Sequence, residues 1–356
     1  MKSNPYSSRL DDLFRRARRR RLDAIVLFGQ KNVLSLTGVD CDNGCLVLDV
    51  DKGKVDYATD FRYVPAVRRT APWLKTANCR RDLEGAAVNM LRAVRPLARI
   101  GFEGGMSVRR HQILVRRLPR AKFVDIGQDV LSLRAVKTPE EIARLAAAEA
   151  LNDRIWTLAR RDFRSGMTEK DLQRIIRAYM NALGDGEAFE TIVCAGANAA
   201  ECHHVPDDTV WRKGEPLLVD MGVKLDGVCS DMTRCLKPKC PDAEYAKVYG
   251  VVIEANRAAI AAARPGITGR ALDAVARGVI RKAGYGKAFG HALGHGVGYD
   301  IHECPVASSR SDAVLKPGML VTIEPGIYLP GRLGVRIEDL VVITENGCEV
   351  LSRSAK

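Results

Sequence analysis

The sequence predicts an α/β domain followed by an α+β domain, and three observations lead to that prediction. The chain has 356 residues, which is enough for two buried cores. In its first third, apolar runs of strand length alternate with helical patterns, as they do in α/β folds. The motif KTPEE at 137–141 is a strong helix start, and long helices mixed with strand-rich stretches follow it. We therefore expect one domain over 1–136 and a second over 137–356.

The first domain is predicted from five apolar runs and three amphipathic patterns. The runs expected to form strands are 23–29, 45–50, 54–59, 98–102 and 122–127. The patterns expected to form helices are 8–22, 83–96 and 107–118. Elements in this order predict a sheet with helices packed against it.

The second domain is predicted from three helix starts. Thr138 as N-cap, Pro139 as the first helical residue and acidic residues in the first turn predict a long helix that ends near Asp162. The motifs GMTE at 166–169 and GITG at 266–269 predict the starts of two further helices. Strand-rich stretches lie between and after these helices, which is typical of an α+β domain.

The net charge of +13 lies entirely in the first domain. Residues 1–136 contain 27 Lys and Arg against 14 Asp and Glu, whereas residues 137–356 contain 29 of each kind. The arginine-rich stretch at 15–21 would suit a nucleic acid or another acidic partner. It shares its segment with an apolar stripe at helical spacing, however, and no aromatic or zinc motif accompanies it. We interpret it as a solvated helix face and expect no specific nucleic-acid binding.

The apolar pattern does not indicate a membrane protein. No apolar run approaches about 18 residues, the length that spans a bilayer. The first 14 residues lack the apolar core of a secretory signal. We therefore expect a cytoplasmic protein that does not contact membranes.

A predicted hairpin brings two carboxylates together. In PLLVDMGVKLDGVCSDMTR (216–234), a four-residue turn at 224–227 would place Asp220 directly opposite Asp231. Directly opposed side chains lie about 4.5–5.5 Å apart, a distance at which like charges repel each other. A cation between the two carboxylates would remove that repulsion.

A second predicted hairpin repeats the arrangement. In TIEPGIYLPGRLGVRIED (322–339), a loop centred on Gly331 would place Glu324 opposite Glu338. One such pair could be a coincidence of the surface. Two pairs in one domain favour a metal site.

A glycine-rich stretch between the hairpins supplies imidazoles. GHALGHGVGYDIHE at 290–303 contains three of the six histidines, namely His291, His295 and His302. Carboxylates together with imidazole suit manganese, cobalt, iron or zinc. Four ionised carboxylates would balance two divalent ions, and such a pair of ions activates water and stabilises a tetrahedral oxyanion.

Motifs along nearly the whole chain resemble those of the pita-bread metallopeptidases, in the branch of Xaa-Pro aminopeptidases and Xaa-Pro dipeptidases (prolidases). The first third is similar to the creatinase-like N-terminal domain through LDAIVLFGQKNVLSLTG and YATDFRY. The motifs FETIVCAGANAAECHH, VDMGVKLDGVCSDMTR, GHALGHGVGYDIHECP, IEPGIY and GVRIED follow in family order. The resemblance implies a pita-bread catalytic domain that hydrolyses the Xaa-Pro bond at the N-terminus of peptides. It also implies a metal-bridged hydroxide as nucleophile, and a homodimer.

The resemblance further implies a set of metal ligands. These are Asp220, Asp231, His295, Glu324 and Glu338. In the family, the residues that match Asp231 and Glu338 bridge both ions. Asp220 would serve one ion, and His295 and Glu324 the other. We expect two divalent ions, manganese or cobalt, with zinc or iron as alternatives.

The remaining site residues are also implied by the resemblance. Glu324 would shuttle the proton, and His203 and His302 would contact the substrate and the oxyanion. His291 matches a position that either lies behind the metal ligands or lines the substrate pocket. Arg336 is typical of the proline-specific branch and precedes Glu338 by two residues, so on one strand both face the metal cavity. There it would either hold a metal-ligating carboxylate or bind the substrate carboxylate.

Two alternatives stay open at this point. One is an enzyme like methionine aminopeptidase, against which the extra N-terminal domain and Arg336 count. The other is a non-catalytic protein that keeps the fold and binds a peptide or another partner. The presence of all five ligand types counts against that second alternative.

Overall fold

The computed structural model describes residues 6–94, 98–238 and 240–356. The chain divides into two compact units, Met1–Arg134 and Ala135–Lys356. The predicted division into domains over 1–136 and 137–356 stays a prediction.

The first unit is a six-stranded mixed sheet with helices. Its strands are β1 (Ala24–Leu27), β2 (Gly44–Asp49), β3 (Lys54–Thr59), β4 (Lys75–Asn78), β5 (Arg99–Phe102) and β6 (Lys122–Asp125). Its helices are α1 (Ser7–Arg19), α2 (Gln30–Thr37), α3 (Val64–Thr70), α4 (Leu83–Val94), α5 (Val108–Arg117) and α6 (Gly127–Ala135). The strand order is β4-β3-β2-β1-β5-β6, and β1 pairs antiparallel with β2 and parallel with β5.

This unit confirms the predicted α/β class. All five predicted strands and all three predicted helices form, although residues 95–96 of the predicted helix 83–96 lie outside the described residues. Strand β4 was not predicted, because its residues, KTAN, are polar and mostly exposed at the sheet edge. The arginines of α1 and the two residues after it lie mainly at the surface, while Leu10, Leu13 and Phe14 are buried. The predicted exposure of the arginines at 15–21 is confirmed, and the expected lack of specific nucleic-acid binding stays a prediction.

The second unit combines long helices with short strands. Its helices are α7 (Pro139–Asp162), α8 (Glu169–Leu183), α9 (Ala243–Ala262) and α10 (Gly269–Lys282), with 3-10 turns at Gly196–Ala200 and Gly286–Ala288. Its strands are β7 (Ile192–Ala195), β8 (Leu217–Met221), β9 (Lys224–Leu225), β10 (Val228–Cys229), β11 (Met232–Leu236), β12 (Gly294–Gly296), β13 (Glu303–Ala307), β14 (Leu320–Ile323), β15 (Gly326–Leu329), β16 (Leu333–Arg336), β17 (Asp339–Ile343) and β18 (Cys348–Val350). Over the described ranges, no helix is both long and apolar enough to span a membrane.

The predicted helix starts of this unit are confirmed. The Thr138 side chain accepts a hydrogen bond from the backbone of Glu141, whose carboxylate accepts one from the backbone of Thr138, which is a complete capping box. Thr168 forms the same arrangement with Asp171 at the start of α8. Thr268 caps α10 through its side chain alone. These caps satisfy N–H groups that would otherwise lack a partner.

The first carboxylate hairpin joins β8 to β11, and its predicted register is wrong. Asp220 lies opposite Thr233 instead of Asp231. The prediction assumed a four-residue turn, but the loop is the pair Asp226 and Gly227, whose φ angles of 49° and 76° are both positive, as a type I′ turn requires. Asp231 precedes Thr233 by two residues, so strand alternation still directs both carboxylates to one face.

The second carboxylate hairpin joins β14 and β15 to β16 and β17, and its predicted register is confirmed. The β15–β16 ladder pairs Gly326 with Arg336 around a loop that contains Gly331. The β14–β17 ladder continues in the same register. Glu324 therefore lies opposite Glu338, in the short gap between the two ladders.

Candidate metal centre

Two hairpins bring four carboxylates to one region of the second unit. Asp220 lies on β8 and Asp231 directly precedes β11, while Glu324 follows β14 and Glu338 precedes β17. Asp231 and Glu338 are only 4% and 2% exposed, whereas Asp220 and Glu324 are half-buried. Each hairpin therefore contributes one deep carboxylate and one carboxylate nearer to solvent.

His295 on β12 lies between carboxylates from both hairpins. Its Nε2 is 3.6 Å from Asp231 Oδ2 and 3.5 Å from Glu324 Oε1. These distances are too long for good hydrogen bonds. They match two ligands of one ion, because ligand atoms about 2.1 Å from a metal lie roughly 3 to 3.5 Å from each other. Ligand atoms of Asp231, His295 and Glu338 also all lie within 4.8 Å of one another.

The imidazole of His295 is held in the form that a metal needs. Its Nδ1 lies 3.0 Å from Gly296 O and its backbone N–H donates to Thr322 Oγ1. Burial lowers the pKa of His295 to about 4, so the ring is neutral near pH 7. With the proton on Nδ1, the Nε2 lone pair is available toward the carboxylates.

The electrostatics of the carboxylates favour bound cations. Burial, and then the neighbouring acidic groups, raise the pKa values of Asp231 and Glu338 well above their usual range. Burial likewise raises the pKa of Glu324 to about 8, against the opposing charge of Arg336. Among the described residues, Asp220 Oδ1 is buried without a hydrogen-bond partner. A buried acceptor without a donor, beside three carboxylates that repel one another, fits divalent metal ions.

Arg336 donates hydrogen bonds to three parts of the site. It is 3% exposed, and its Nη2 donates to Asp220 Oδ2 at 2.7 Å. Its Nε donates to Thr233 Oγ1 at 3.0 Å, and its Nη1 donates to Tyr328 Oη at 2.9 Å and to Cys202 O at 3.3 Å. All three guanidinium nitrogens thus have acceptors within the protein.

The other predicted histidines surround this centre. His291 Nε2 lies 2.9 Å from Tyr328 Oη, and burial, followed by the charge of Arg336, lowers the pKa of His291 to about 4. The His302 ring lies 4.2 Å from the His295 ring between centroids, and His302 is exposed. His203 is also exposed, and its charge contributes to the lowered pKa of His291. The structure therefore brings all the predicted site residues into one region.

Hydroxyl groups that were not predicted from the sequence form hydrogen bonds with the charged residues of the site. Thr233 Oγ1 donates to Glu338 Oε2 at 2.7 Å while it accepts from Arg336. Thr322 Oγ1 donates to Glu324 Oε1 at 3.2 Å, and Tyr328 links His291 to Arg336. A signal was present, because both threonines lie two residues from a carboxylate on the same strand face: Thr233 follows Asp231, and Thr322 precedes Glu324.

The sequence matches two described families. Residues 143–345 match metallopeptidase family M24, and residues 9–136 match the creatinase/prolidase N-terminal domain. The chain is 42% identical to the Xaa-Pro dipeptidase of Lactobacillus helveticus over 255 residues, which are 70% of this chain and 69% of that protein.

Solved structures give the same result for the fold. The Xaa-Pro dipeptidase from Bacillus anthracis superposes with a TM-score of 0.94 at 30% identity, covering 99% of this chain and 98% of that one. The X-Pro aminopeptidase from Thermotoga maritima superposes with a TM-score of 0.86 at 30% identity, covering 95% and 97%. The expected creatinase-like first domain and pita-bread second domain are confirmed. The chain therefore belongs to metallopeptidase family M24 and has a creatinase/prolidase N-terminal domain ahead of its catalytic domain.

Proposed function

We propose that this protein is a metal-dependent peptidase that hydrolyses the bond between the first residue of a peptide and a proline at the second position. The observation that supports it best is the convergence of His295 with carboxylates from two hairpins, at separations that suit shared metal ligation. Relatives named Xaa-Pro dipeptidase and X-Pro aminopeptidase support the same substrate class.

We assign the five metal ligands from the resemblance to the family, and the burial of the carboxylates supports that assignment. Asp231 and Glu338, the two deepest carboxylates, would each serve both of two divalent ions, for which manganese or cobalt is expected and zinc or iron are alternatives. Asp220 would serve one ion, and His295 and Glu324 the other. When bound, the ions supply Lewis acidity for the scissile carbonyl and a lowered pKa for an attacking water.

The chain's own groups then handle protons and charge. Glu324, a carboxylate once the ions are bound, would take a proton from the attacking water. It would deliver that proton to the proline nitrogen as the C–N bond breaks, which turns a tertiary amide into a secondary amine. His203 and His302, both exposed at the site, would donate hydrogen bonds to the oxyanion. His291 would line the pocket for the substrate.

Arg336 has two candidate roles. Its contacts with Asp220, Thr233 and Tyr328 support the role of holding a ligand carboxylate in place. Binding of a substrate carboxylate would require N–H groups that these contacts already use in large part. We therefore favour the positioning role, and substrate binding by Arg336 stays a prediction.

The experiment that tests the proposed function uses metal-free protein and four added ions. Protein treated with a chelator is assayed on Xaa-Pro dipeptides, on Xaa-Pro-Yaa tripeptides and on a Met-Ala peptide, with manganese, cobalt, zinc or iron. We expect cleavage of proline substrates only after an ion is added. Cleavage of the Met-Ala peptide in preference to proline substrates would instead favour the methionine aminopeptidase alternative. Binding of the ions without any hydrolysis would favour the non-catalytic one.

The oligomeric state and the charged first unit need separate measurements. We expect a homodimer in the cytoplasm, and light scattering that gives a mass of 39.0 kDa at micromolar concentration would contradict the dimer. We also expect any binding of nucleic acid to the basic first unit to vanish at physiological salt, as unspecific phosphate contacts do.

A further inference from the structure

One side of the loop that contains His203 packs against β16, the strand that carries Arg336. We call residues 196–209 the His203 loop. Arg336 donates to Cys202 O at 3.3 Å, and a side chain at Gly334 of β16 would collide with Ala199 O. His203 itself is exposed, and in the described part of the chain its ring makes no hydrogen bond. The position of the imidazole therefore depends on how firmly its backbone is held.

The opposite side of the loop is held by one buried carboxylate, that of Glu169. This residue is the first of α8 and is 0% exposed. Its Oε1 accepts from Ala195 N at 2.6 Å and from Asn198 Nδ2 at 3.0 Å. Its Oε2 accepts from His204 Nε2 at 2.7 Å and from Asp207 N at 3.0 Å. The four donors come from the loop and from the residue just before it.

This cluster could be mistaken for a metal site. Glu169, His204 and Asp207 each place a potential ligand atom within 4.8 Å of the others. A carboxylate has about four acceptor positions, and N–H donors occupy all four on Glu169. Asp207 is exposed, and its Oδ1 accepts from Thr209 N at 2.7 Å. The arrangement therefore fixes protein groups to one another and leaves no acceptor position of Glu169 for a cation.

The second half of the same unit shows that this carboxylate is specific to the His203 loop. Thr268 bridges to Val314 as Thr168 bridges to Val210, so both helix starts pair with a following loop in the same way. The position of Glu169 is taken there by Gly269, where a side chain would collide with Val306 O. Backbone packing thus replaces the buried carboxylate in the half that contains His302.

The two exposed histidines nevertheless share one feature. The residue after each is anchored in the interior by a charged partner. His204 contacts Glu169, and Glu303, which follows His302, lies 2.9 Å from Lys137 with both side chains 3% exposed. Two unrelated anchors at the same relative position indicate that placement of the preceding imidazole is what they serve.

We propose that Glu169, acting through His204, is a positioning residue that fixes His203 at the active site. The proposal rests on the role assigned to His203 in the proposed function. Loss of the carboxylate leaves four donors, of which Ala195 N is buried, without their acceptor, and the loop then samples positions in which His203 no longer reaches the oxyanion. Metal binding is unaffected, since none of the five proposed ligands lies in this loop.

The first test measures the loop directly and needs no activity. Hydrogen exchange of peptides that cover 196–209 is compared in wild type, Glu169→Gln and Asp171→Asn. Asp171 provides the matched control, because its carboxylate caps the same helix without contacting the loop. We expect faster exchange of the loop only in Glu169→Gln. Unchanged exchange in that variant overturns the proposal.

The second test measures activity on an Xaa-Pro peptide. Glu169→Gln is expected to lower kcat by up to roughly 100-fold, the size of effect that a misplaced catalytic group can produce, with unchanged metal content and little change in KM. His204→Gln, which keeps an N–H donor near the position of Nε2, should retain most activity, and His204→Leu should lose as much as Glu169→Gln.

A double-mutant cycle separates positioning from general stability. In a His203→Ala background, adding Glu169→Gln should lower kcat by a further factor of less than about two, because the residue that Glu169 positions is absent. If the double variant instead lowers kcat by the product of the two single effects, the proposal is overturned and Glu169 has a purely structural role. If wild type with added metal fails to cleave any Xaa-Pro peptide, the proposed function fails, while the exchange experiment still decides whether Glu169 anchors the loop.

Discussion

Both carboxylate hairpins place two carboxylates on one strand face, but their backbone hydrogen bonds differ. In the first, the ladder stops before Asp231, whose backbone N–H donates instead to the buried carboxylate of Glu149 at 3.1 Å. In the second, the N–H of Glu338 donates to Thr233 O of the first hairpin. Both hairpins keep one register on the two sides of a short gap, but Asp220 lies opposite Thr233 whereas Glu324 lies opposite Glu338. What the hairpins share is the strand face on which their carboxylates lie, and that face survives a difference in pairing.

Depth separates the four carboxylates more clearly than hairpin membership does. Asp231 and Glu338 come from different hairpins, yet both are nearly fully buried and have strongly raised pKa values. Asp220 is half-buried and has a cation partner in Arg336. A metal is therefore needed most by the deep pair, because Asp220 keeps partial compensation without one.

The most direct test of this comparison removes the charge of one deep carboxylate in one variant and of one half-buried carboxylate in another. We expect Asp231→Asn to lower kcat/KM by roughly three orders of magnitude, since a bound metal contributes several kcal/mol to the transition state. Asp220→Asn should lose less metal and less activity. Metal content by mass spectrometry and activity on an Xaa-Pro peptide measure both effects. Asp226→Asn, in the exposed turn of the same hairpin, is the control and should behave as wild type.

Equal loss of metal from the two variants would contradict the depth argument. Metal retained in Asp231→Asn together with full activity would contradict its assignment as a ligand. An isosteric amide is used because it removes the charge while it preserves the packing, so folding should survive in both variants.

Arg336 lies on the second hairpin and donates hydrogen bonds to Asp220 and Thr233 of the first. Replacing Arg336 is expected to have the next largest effect on activity. Arg336→Lys keeps the charge but cannot contact Asp220, Thr233 and Tyr328 together. We expect kcat/KM to fall roughly 10- to 100-fold, equally on Xaa-Pro dipeptides and Xaa-Pro-Yaa tripeptides. Arg332→Lys, at the exposed end of the same hairpin, should change neither. A rise in KM confined to dipeptides would support binding of the substrate carboxylate instead.

The hairpins also show what the sequence could and could not predict. The face of each carboxylate followed from alternation, which holds for either register. The register of the first hairpin depended on the turn, and LDG was assigned to a four-residue turn although Asp226 and Gly227 are typical of a two-residue type I′ loop. Supporting contacts such as Tyr328 with Arg336 join residues eight positions apart, and they depend on side-chain conformations that no spacing rule specifies.

Each hairpin has a buried threonine that holds a charged group, and the two can be compared directly. Thr233→Val leaves Arg336 Nε without an acceptor and Glu338 without a donor, and we expect it to lower the free energy of unfolding by about 3 kcal/mol. Thr322→Val removes the acceptor of the His295 backbone N–H, and we expect it to lower the free energy of unfolding by about 2 kcal/mol. Urea unfolding of metal-free protein measures both values. A larger loss at Thr322 would reverse the comparison.

The smallest expected effect concerns pH and has no counterpart on the first hairpin. His291 contacts Tyr328 of the second hairpin, and burial lowers the pKa of His291 from 6.5 to about 4. Between these values the unfolded chain binds more protons than the folded one, so this histidine makes stability rise with pH from about 4 to 6.5. Because the side chain is 25% exposed, we discount the full shift and expect a contribution on the order of 1 to 2 kcal/mol.

The His291→Gln variant isolates this contribution in metal-free protein. His295 has a similarly lowered pKa and acts in the same direction, whereas the raised pKa of Glu324 makes stability fall as pH rises, so the total slope of wild type mixes several groups. The difference between variant and wild type cancels the groups they share. We expect the stability of the variant relative to wild type to decrease by 1 to 2 kcal/mol from pH 4 to 6.5, on the order that linkage gives. Parallel curves across that window would show that His291 titrates normally, and its contact with Tyr328 would then not depend on a neutral ring.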